Sequence, residues 1–151
     1  MPNALPLELR PRHRPRRDLS PRELEVLALL AAGNTRETAA AELCLAPSTI
    51  QGHVARILAA LGARNAAHAV AIAHRSGLFE PRRQMSVGSR LSWRERQVLV
   101  GIAAGLTADQ LGKVLTLSGE TVKSHLSRLY RKLGVSTRPH AVDSAFRCGL
   151  L

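Results

Sequence analysis

Hydrophobic positions recur along this chain with the spacing of amphipathic α-helices. The pattern is clearest in two stretches, one built on Ile50, Val54, Ile57 and Leu61 and the other on Val122, Leu126, Leu129 and Leu133. In both stretches the apolar side chains stand four, three and four residues apart, and this spacing places them on one face of a helix. Each stretch is therefore predicted to be a helix with one face in a domain core and the other in solvent.

The two stretches belong to a repeat that covers most of the chain. A shift of 72 residues aligns 19–79 with 91–151 without a gap, and 24 of the 61 paired positions are identical. We interpret the repeat as a duplicated domain and name its two members copy one (19–79) and copy two (91–151). Residues 1–18, rich in proline and arginine, are expected to be a disordered basic arm, and residues 80–90 a linker.

Each copy is predicted to contain four helices. Ser20 and Ser92 each precede a glutamate by three residues, which is the capping-box signal for the start of a first helix. A short second helix, a tight turn and a longer third helix follow, and the fourth helix is expected over 66–76 and 138–148. The predicted fold class is all-α, with two tandem four-helix helix-turn-helix domains joined by a short linker.

A short helix, a tight turn and a longer helix form the element that lays its second helix in the major groove of DNA. In copy two, the face of helix 3 opposite the apolar stripe carries donor-rich side chains whose reach suits base edges and phosphates. We expect base contacts from Glu120, Thr121, Lys123, Ser124 and Ser127. We expect phosphate contacts from Arg94, Arg128, Arg131, Lys132 and Arg138.

The charge balance favours a polyanionic partner. The net charge is +11 and the pI is near 11.4, which suits nucleic acid or an acidic membrane surface. Only 3% of the residues are aromatic, too few for the stacking platforms of proteins that bind single strands or RNA loops. Copy two has nine basic and four acidic side chains, against five and four in copy one. Duplex DNA is the favoured partner, and copy two is expected to hold it more strongly.

Other kinds of site find little support in the sequence. Four histidines fall on matching positions of the two copies, namely His53, His68, His125 and His140. We interpret them as packed side chains, because no second ligand stands at metal spacing. Cys44 and Cys148 form no CxxC pair and are interpreted as reduced, small apolar fillers. No phosphate loop, nucleophile motif or carboxylate pair is present, so no enzyme activity, metal, cofactor or small-molecule ligand is expected.

Each copy resembles the LuxR/GerE-type helix-turn-helix domain, the output module of many bacterial response regulators and quorum sensors, and copy two matches the family pattern closely. The resemblance rests on the stretch TVKSHLSRLYRKLGV and extends over about four-fifths of the chain. It implies that the lysine of TVK and the residues one and four places after it face the groove, which are Lys123, Ser124 and Ser127. It also implies that helix 4 mediates dimerisation, through Val70, Ala73, Ala141, Val142 and Ala145.

Copy one keeps the apolar stripe of helix 3 but changes the groove positions. Gln51, Gly52 and Ala55 stand where copy two has its three groove residues, and two alanines replace the last two basic residues of the helix. Two interpretations stay open. Copy one contacts DNA weakly through Gln51 and Arg56, or it serves chiefly as a built-in dimer partner.

The predicted function is that of a sequence-specific double-stranded DNA-binding transcription regulator. Helix 3 of each copy enters the major groove, and copy two dominates. The linker of eleven residues reaches at most about 36 Å, close to one turn of duplex, so both helices can contact one face of DNA. The basic arm either enters the minor groove or is a solubilising tail.

Two other functions remain open on the sequence alone. In the first, copy one or the helix-4 faces bind a protein, such as RNA polymerase, another regulator or a second chain in a homodimer. In the second, the chain is a nonspecific nucleoid DNA-binding protein. The sequence has neither the roughly 18 consecutive apolar residues of a membrane-spanning helix nor the apolar core of a signal peptide. The chain is therefore expected in the cytoplasm, at the bacterial nucleoid.

Overall fold

A computed structural model of the protein describes residues 18–80 and 91–151. The predicted basic arm, apart from Asp18, lies outside the described residues. The predicted linker, apart from Glu80, lies outside them as well.

The described residues form eight α-helices and no strand. Copy one contains α1 (Pro21–Ala31), α2 (Arg36–Glu42), α3 (Pro47–Leu61) and α4 (Ala66–Arg75). Copy two contains α5 (Trp93–Ala103), α6 (Ala108–Leu115), α7 (Gly119–Leu133) and α8 (Arg138–Arg147). The predicted all-α architecture of two tandem four-helix domains is confirmed. Within these ranges no helix combines the length and the apolar character needed to cross a membrane.

Capping boxes begin the first helix of each copy, as the sequence predicts. The Ser20 hydroxyl accepts a hydrogen bond from the Glu23 backbone NH at 3.3 Å, and the Glu23 carboxylate accepts one from the Ser20 backbone NH at 2.9 Å. Ser92 and Glu95 form the same reciprocal pair at 3.2 and 2.7 Å. Each serine cap satisfies a free amide of the first turn and stabilises its helix by about 1 kcal/mol.

The apolar stripes of the two third helices lie in the domain cores. Ile50, Val54, Ile57 and Leu61 of α3 are buried, and so are Val122, Leu126 and Leu129 of α7. Leu133, at the end of α7, is partly buried. Because one side of each helix is held in a core, the opposite side is left at the surface.

The turn between helices 2 and 3 has a left-handed backbone at a non-glycine residue in both copies. The φ angles are +53° at Cys44 and +55° at Thr116. Cys44 is exposed in this turn, so the prediction that it is an apolar filler is wrong. A Cβ added at Gly112 would stand 2.8 Å from the carbonyl oxygen of Leu117. The lack of a side chain at Gly112 therefore makes room for the turn that leads into α7.

The two copies pack against each other through their fourth helices. Helix α4 lies against α8, while α1 contacts α8 and α4 contacts α5. The last two contacts are equivalent, because each joins the first helix of one copy to the fourth helix of the other. Individual residues at the contact are related in the same way. A Cβ added at Gly33 would stand 2.6 Å from His140 Nδ1, and one added at Gly105 would stand 3.0 Å from the His68 side chain. The contact therefore has approximate two-fold symmetry. Two of the recurring histidines, His68 and His140, are packed within it.

Candidate nucleic-acid interface

One face of α7 forms a shallow polar groove at the surface of copy two. The groove is lined by Glu120, Lys123, Ser124, Ser127, Arg128 and Arg131. The buried apolar stripe of α7 fixes the helix from the other side. The structure thus brings together four of the residues predicted to contact bases and two of those predicted to contact phosphates.

Thr121 stands apart from this groove and belongs to the cap of α7. Its backbone NH donates to the Ser118 hydroxyl oxygen at 3.2 Å, and its own hydroxyl lies 2.8 Å from the same oxygen. The residue is half-buried. Thr121 therefore helps to set where α7 begins, and it does not line the groove.

Lys123 forms an ion pair within the groove. Its ammonium donates to Glu120 Oε1 at 2.8 Å, and both side chains are largely exposed. The hydrogen bond to the Glu120 carboxylate, followed by its charge, raises the pKa of Lys123 above the ordinary lysine value. The lysine therefore stays charged at neutral pH. An exposed pair of this kind contributes little to stability, so the ammonium can exchange its carboxylate partner for a base edge or phosphate.

Three of the arginines predicted to contact phosphates are exposed. Arg128 and Arg131 are in the groove and form no hydrogen bond with another described residue. Arg94, in the first turn of α5, donates from Nη1 to Gln97 Oε1 at 2.8 Å. All three guanidinium groups are within reach of a polyanion at the surface.

Arg138 has a partner within the protein. It begins α8 and is half-buried beside Tyr130 of α7. Burial raises the pKa of the Tyr130 phenol, and the charge and hydrogen bond of Arg138 oppose that rise. The guanidinium therefore links α8 to α7.

Lys132, also predicted to contact phosphates, has a partner within copy two. Its ammonium donates to Glu95 Oε2 at 2.7 Å, and the Glu95 side chain is only 3% exposed. Burial pushes the pKa of Glu95 upward, but the hydrogen bonds from Lys132 and Ser92 outweigh burial and hold it below the ordinary value. The sequence placed Lys132 with the phosphate contacts because it flanks the exposed face of α7. In the structure its ammonium neutralises the buried Glu95 carboxylate, and the phosphate contact stays a prediction.

The corresponding face of copy one is less basic. The Gln51 carbonyl oxygen accepts a hydrogen bond from Arg36 Nη1 at 2.9 Å, and Arg56 donates from Nε to the Gly52 carbonyl at 3.3 Å. All three donating or accepting side chains are exposed. Sequence reasoning missed Arg36, whose counterpart in copy two is an alanine. At the position of Lys123, copy one therefore has a glutamine that is bonded to an arginine of α2.

The helix-4 residues that the family resemblance assigns to dimerisation are covered within a single chain. Val70, Ala73, Ala141, Val142 and Ala145 are all fully buried. They belong to α4 and α8, the two helices that pack on each other between the copies. A second chain would have to displace one copy from the other to use these faces.

A charged cluster crosses the contact between α4 and α8. His74 Nε2 lies 2.8 Å from Asp143 Oδ1, and Arg147 Nε donates to Asp143 Oδ2 at 2.6 Å. The side chains of His74 and Asp143 are 8% and 6% exposed. Burial raises the pKa of Asp143, but the hydrogen bonds from His74 and Arg147 outweigh it and leave the pKa below its ordinary value. The His74 ring also stacks on Phe146, with ring centroids 4.7 Å apart.

Comparison with known proteins identifies the domain type. The model of the family described as bacterial regulatory proteins, luxR family, matches the chain twice, over residues 17–73 and 89–145. A probable transcriptional regulatory protein NarL of Mycobacterium tuberculosis is 46% identical over 69 residues, which are 46% of this chain and 32% of that protein. The HTH-type transcriptional regulator MalT of Yersinia pestis is 44% identical over 59 residues, or 39% of this chain and 6% of that protein.

Each of these matches spans a third or less of the relative's own length. No solved structure matches the chain. The two family matches nevertheless cover more than half of the chain, and each contains the helix-turn-helix of one copy. Regulators of this type act by binding DNA and are not enzymes. The chain therefore belongs to the luxR family of bacterial regulatory proteins, and it carries two of the family's DNA-binding helix-turn-helix domains in tandem.

Proposed function

We propose that the chain is a sequence-specific transcription regulator that inserts α7 into the major groove of duplex DNA. The observation that carries this proposal is the polar groove along the exposed face of α7, directly opposite its buried stripe. A helix held in this way presents side chains of different donor and acceptor character to the edges of successive base pairs.

The groove residues take different roles in this proposal. Lys123, Ser124 and Ser127 contact base edges, because they lie on the exposed face of α7 and carry donors of suitable length. Glu120 either accepts from a cytosine amino group or only orients Lys123. Arg128 and Arg131, with Arg94, hold the phosphates that flank the groove and set the register of the helix.

Copy two supplies the larger share of the binding free energy. It carries nine basic against four acidic side chains, and copy one carries five against four. The recognition face of α3 offers Gln51, already bonded to Arg36, beside Gly52 and Ala55. Since phosphate neutralisation supplies much of protein–DNA affinity, copy one contributes a weaker and chemically different contact.

A protein-interaction role would have fewer surfaces available than the sequence suggested. Both helix-4 faces are covered by the packing of α4 on α8. The exposed face of α3, smooth at Ala55 and Ala59, stays available for that alternative. The polar groove on α7 has no part in it, so DNA binding is the function that accounts for more of the structure.

Selection of bound sequences from random duplex DNA tests the proposal. The intact chain should enrich a defined motif and bind it about 1000-fold or more tightly than an unrelated duplex at the same salt concentration. A flat affinity across unrelated duplexes that falls steeply with added salt would instead establish the nonspecific nucleoid role. Absence of DNA binding would favour a protein partner.

A further inference from the structure

The contact between the copies is two-fold symmetric in its helices but not in its side chains. Residue 143 corresponds to residue 71, and residue 146 to residue 74. His74 meets Asp143 at 2.8 Å, whereas the symmetry-related place holds Phe146 and Ala71. His74 and Phe146 occupy equivalent positions in the two copies. Because their rings stack on each other, they lie on either side of the symmetry axis.

A second polar contact is also made on one side only. Asn65 Nδ2 donates to the Gly105 carbonyl oxygen at 3.0 Å. The equivalent residues are Thr137 and Gly33, and they form no such bond among the described residues. Thr137, like Asn65, accepts from the backbone NH three residues further on. Each polar interaction across the contact thus requires one residue from copy one and a different residue from copy two.

Pairing of like copies would leave these groups badly placed. Two copies of the second kind, from different chains, would bury each Asp143 against a Phe146 ring, and only Arg147 of its own helix would remain as a partner. Two copies of the first kind would place His74 opposite Ala71, which offers no hydrogen-bond partner. Because a buried polar or charged group that loses a hydrogen-bond partner is destabilising, both like pairings are weaker than the unlike one.

We propose that His74 and Asp143 make this contact specific for the pairing of copy one with copy two of the same chain. One chain then forms the complete DNA-binding unit, and it occupies a site whose two halves differ in sequence. The second statement rests on the proposed function. It follows because a palindromic site requires two identical recognition faces, whereas α3 presents Gln51 where α7 presents Lys123.

The symmetry of the contact allows a test in which the pair is moved instead of removed. The single variants His74→Phe and Asp143→Ala each break the histidine–aspartate pair by removing one partner. The quadruple variant combines both changes with Ala71→Asp and Phe146→His, which rebuilds the pair at the symmetry-related place with the same two stacked ring types. Arg75 stands four residues after position 71, as Arg147 does after Asp143, so the moved aspartate keeps a guanidinium neighbour.

Urea unfolding of the full chain measures the result. Each single variant should raise the unfolding equilibrium constant by about tenfold or more, because it leaves a buried polar group without that partner, and the quadruple variant should recover most of the loss. A quadruple variant no more stable than the single variants, or single variants as stable as the unaltered chain, would overturn the proposal. If a single variant does not fold, recovery of a folded chain in the quadruple variant decides the matter in the same way.

The mass of the protein, alone and on DNA, tests the second statement. The unaltered chain should sediment at its monomer mass of 16.3 kDa and bind the selected duplex as one chain on a motif without palindromic symmetry. Two chains on a palindrome, or a stable dimer in free solution, would overturn it. Failure to select any motif would remove the proposed function, whereas the unfolding comparison would still decide the pairing.

Discussion

The ammonium of Lys132 lies 2.7 Å from a carboxylate oxygen of Glu95 and thereby joins the end of α7 to the first turn of α5. Glu95 also completes the capping box of α5 by accepting from the Ser92 backbone. One buried carboxylate therefore serves both the start of the first helix of copy two and the anchoring of its recognition helix.

The change Lys132→Met should destabilise the protein, although the lysine was expected to contact DNA. Loss of the ammonium leaves Glu95 buried with fewer partners, and the free energy of unfolding should fall by about 1–3 kcal/mol. The neighbouring change Arg131→Met is the control. It removes an exposed charge, so it should alter stability by less than about 0.5 kcal/mol while it weakens DNA binding. Urea unfolding and DNA titration of both variants measure this difference, and equal stabilities would contradict the role assigned to Lys132.

The contribution of Asp143 to stability should depend on pH. Its folded pKa is held below the unfolded value, chiefly by His74 and Arg147 acting against burial. A depressed carboxylate pKa contributes stability that is fully present above the unfolded pKa and is lost as pH falls through the folded pKa. The difference in unfolding free energy between the unaltered chain and Asp143→Asn should therefore be largest near neutral pH and shrink below about pH 4.

The exposed Asp109 of α6 offers the matching control for this experiment. The change Asp109→Asn removes the same charge at a place outside the inter-copy contact. Its effect on unfolding should be small at every pH. A constant difference for Asp143→Asn across the acid range would show that its carboxylate is not stabilised in the folded protein.

The left-handed turn before α7 predicts a stabilising glycine. Thr116 has φ +55°, a conformation that costs a residue with a Cβ about 1–2 kcal/mol. The change Thr116→Gly should relieve that strain. The greater entropy of glycine in the unfolded chain offsets part of the gain, so the unfolding free energy should rise by up to about 1 kcal/mol. In the control Lys113→Gly, glycine replaces a residue inside α6 and should destabilise by about 1 kcal/mol. Loss of stability in both variants on urea unfolding would exclude strain at Thr116.

Sequence periodicity was sufficient for the secondary structure and for the exposed face of α7. The spacing of Val122, Leu126 and Leu129 fixes which side of the helix is buried, so the residues on the other side follow directly. The serine–glutamate pairs at Ser20 and Ser92 likewise mark helix starts through purely local chemistry. These features depend on residues within a few turns of one another.

Contacts between distant residues were beyond the same reasoning. Lys132 and Glu95 are 37 residues apart, and His74 and Asp143 are 69 apart. In the sequence, positions 71, 74, 143 and 146 appear only as places where the two copies differ. They can be recognised as facing positions only once α4 and α8 are known to pack together. The repeat itself carried a partial signal, because residues that break it at facing positions are candidates for contacts between the copies.

The central claim is that the two recognition helices make unequal contributions to specific DNA binding. Titration of the selected duplex with Lys123→Ala, Gln51→Ala and Lys113→Ala tests it most directly. Lys113 is an exposed lysine of α6 outside the groove, so its variant controls for the loss of one charge. We predict that Lys123→Ala weakens specific binding by about tenfold or more. Gln51→Ala should change it by less than about threefold, and Lys113→Ala should weaken selected and unrelated duplexes alike. Equal losses from Lys123→Ala and Gln51→Ala would contradict the claim.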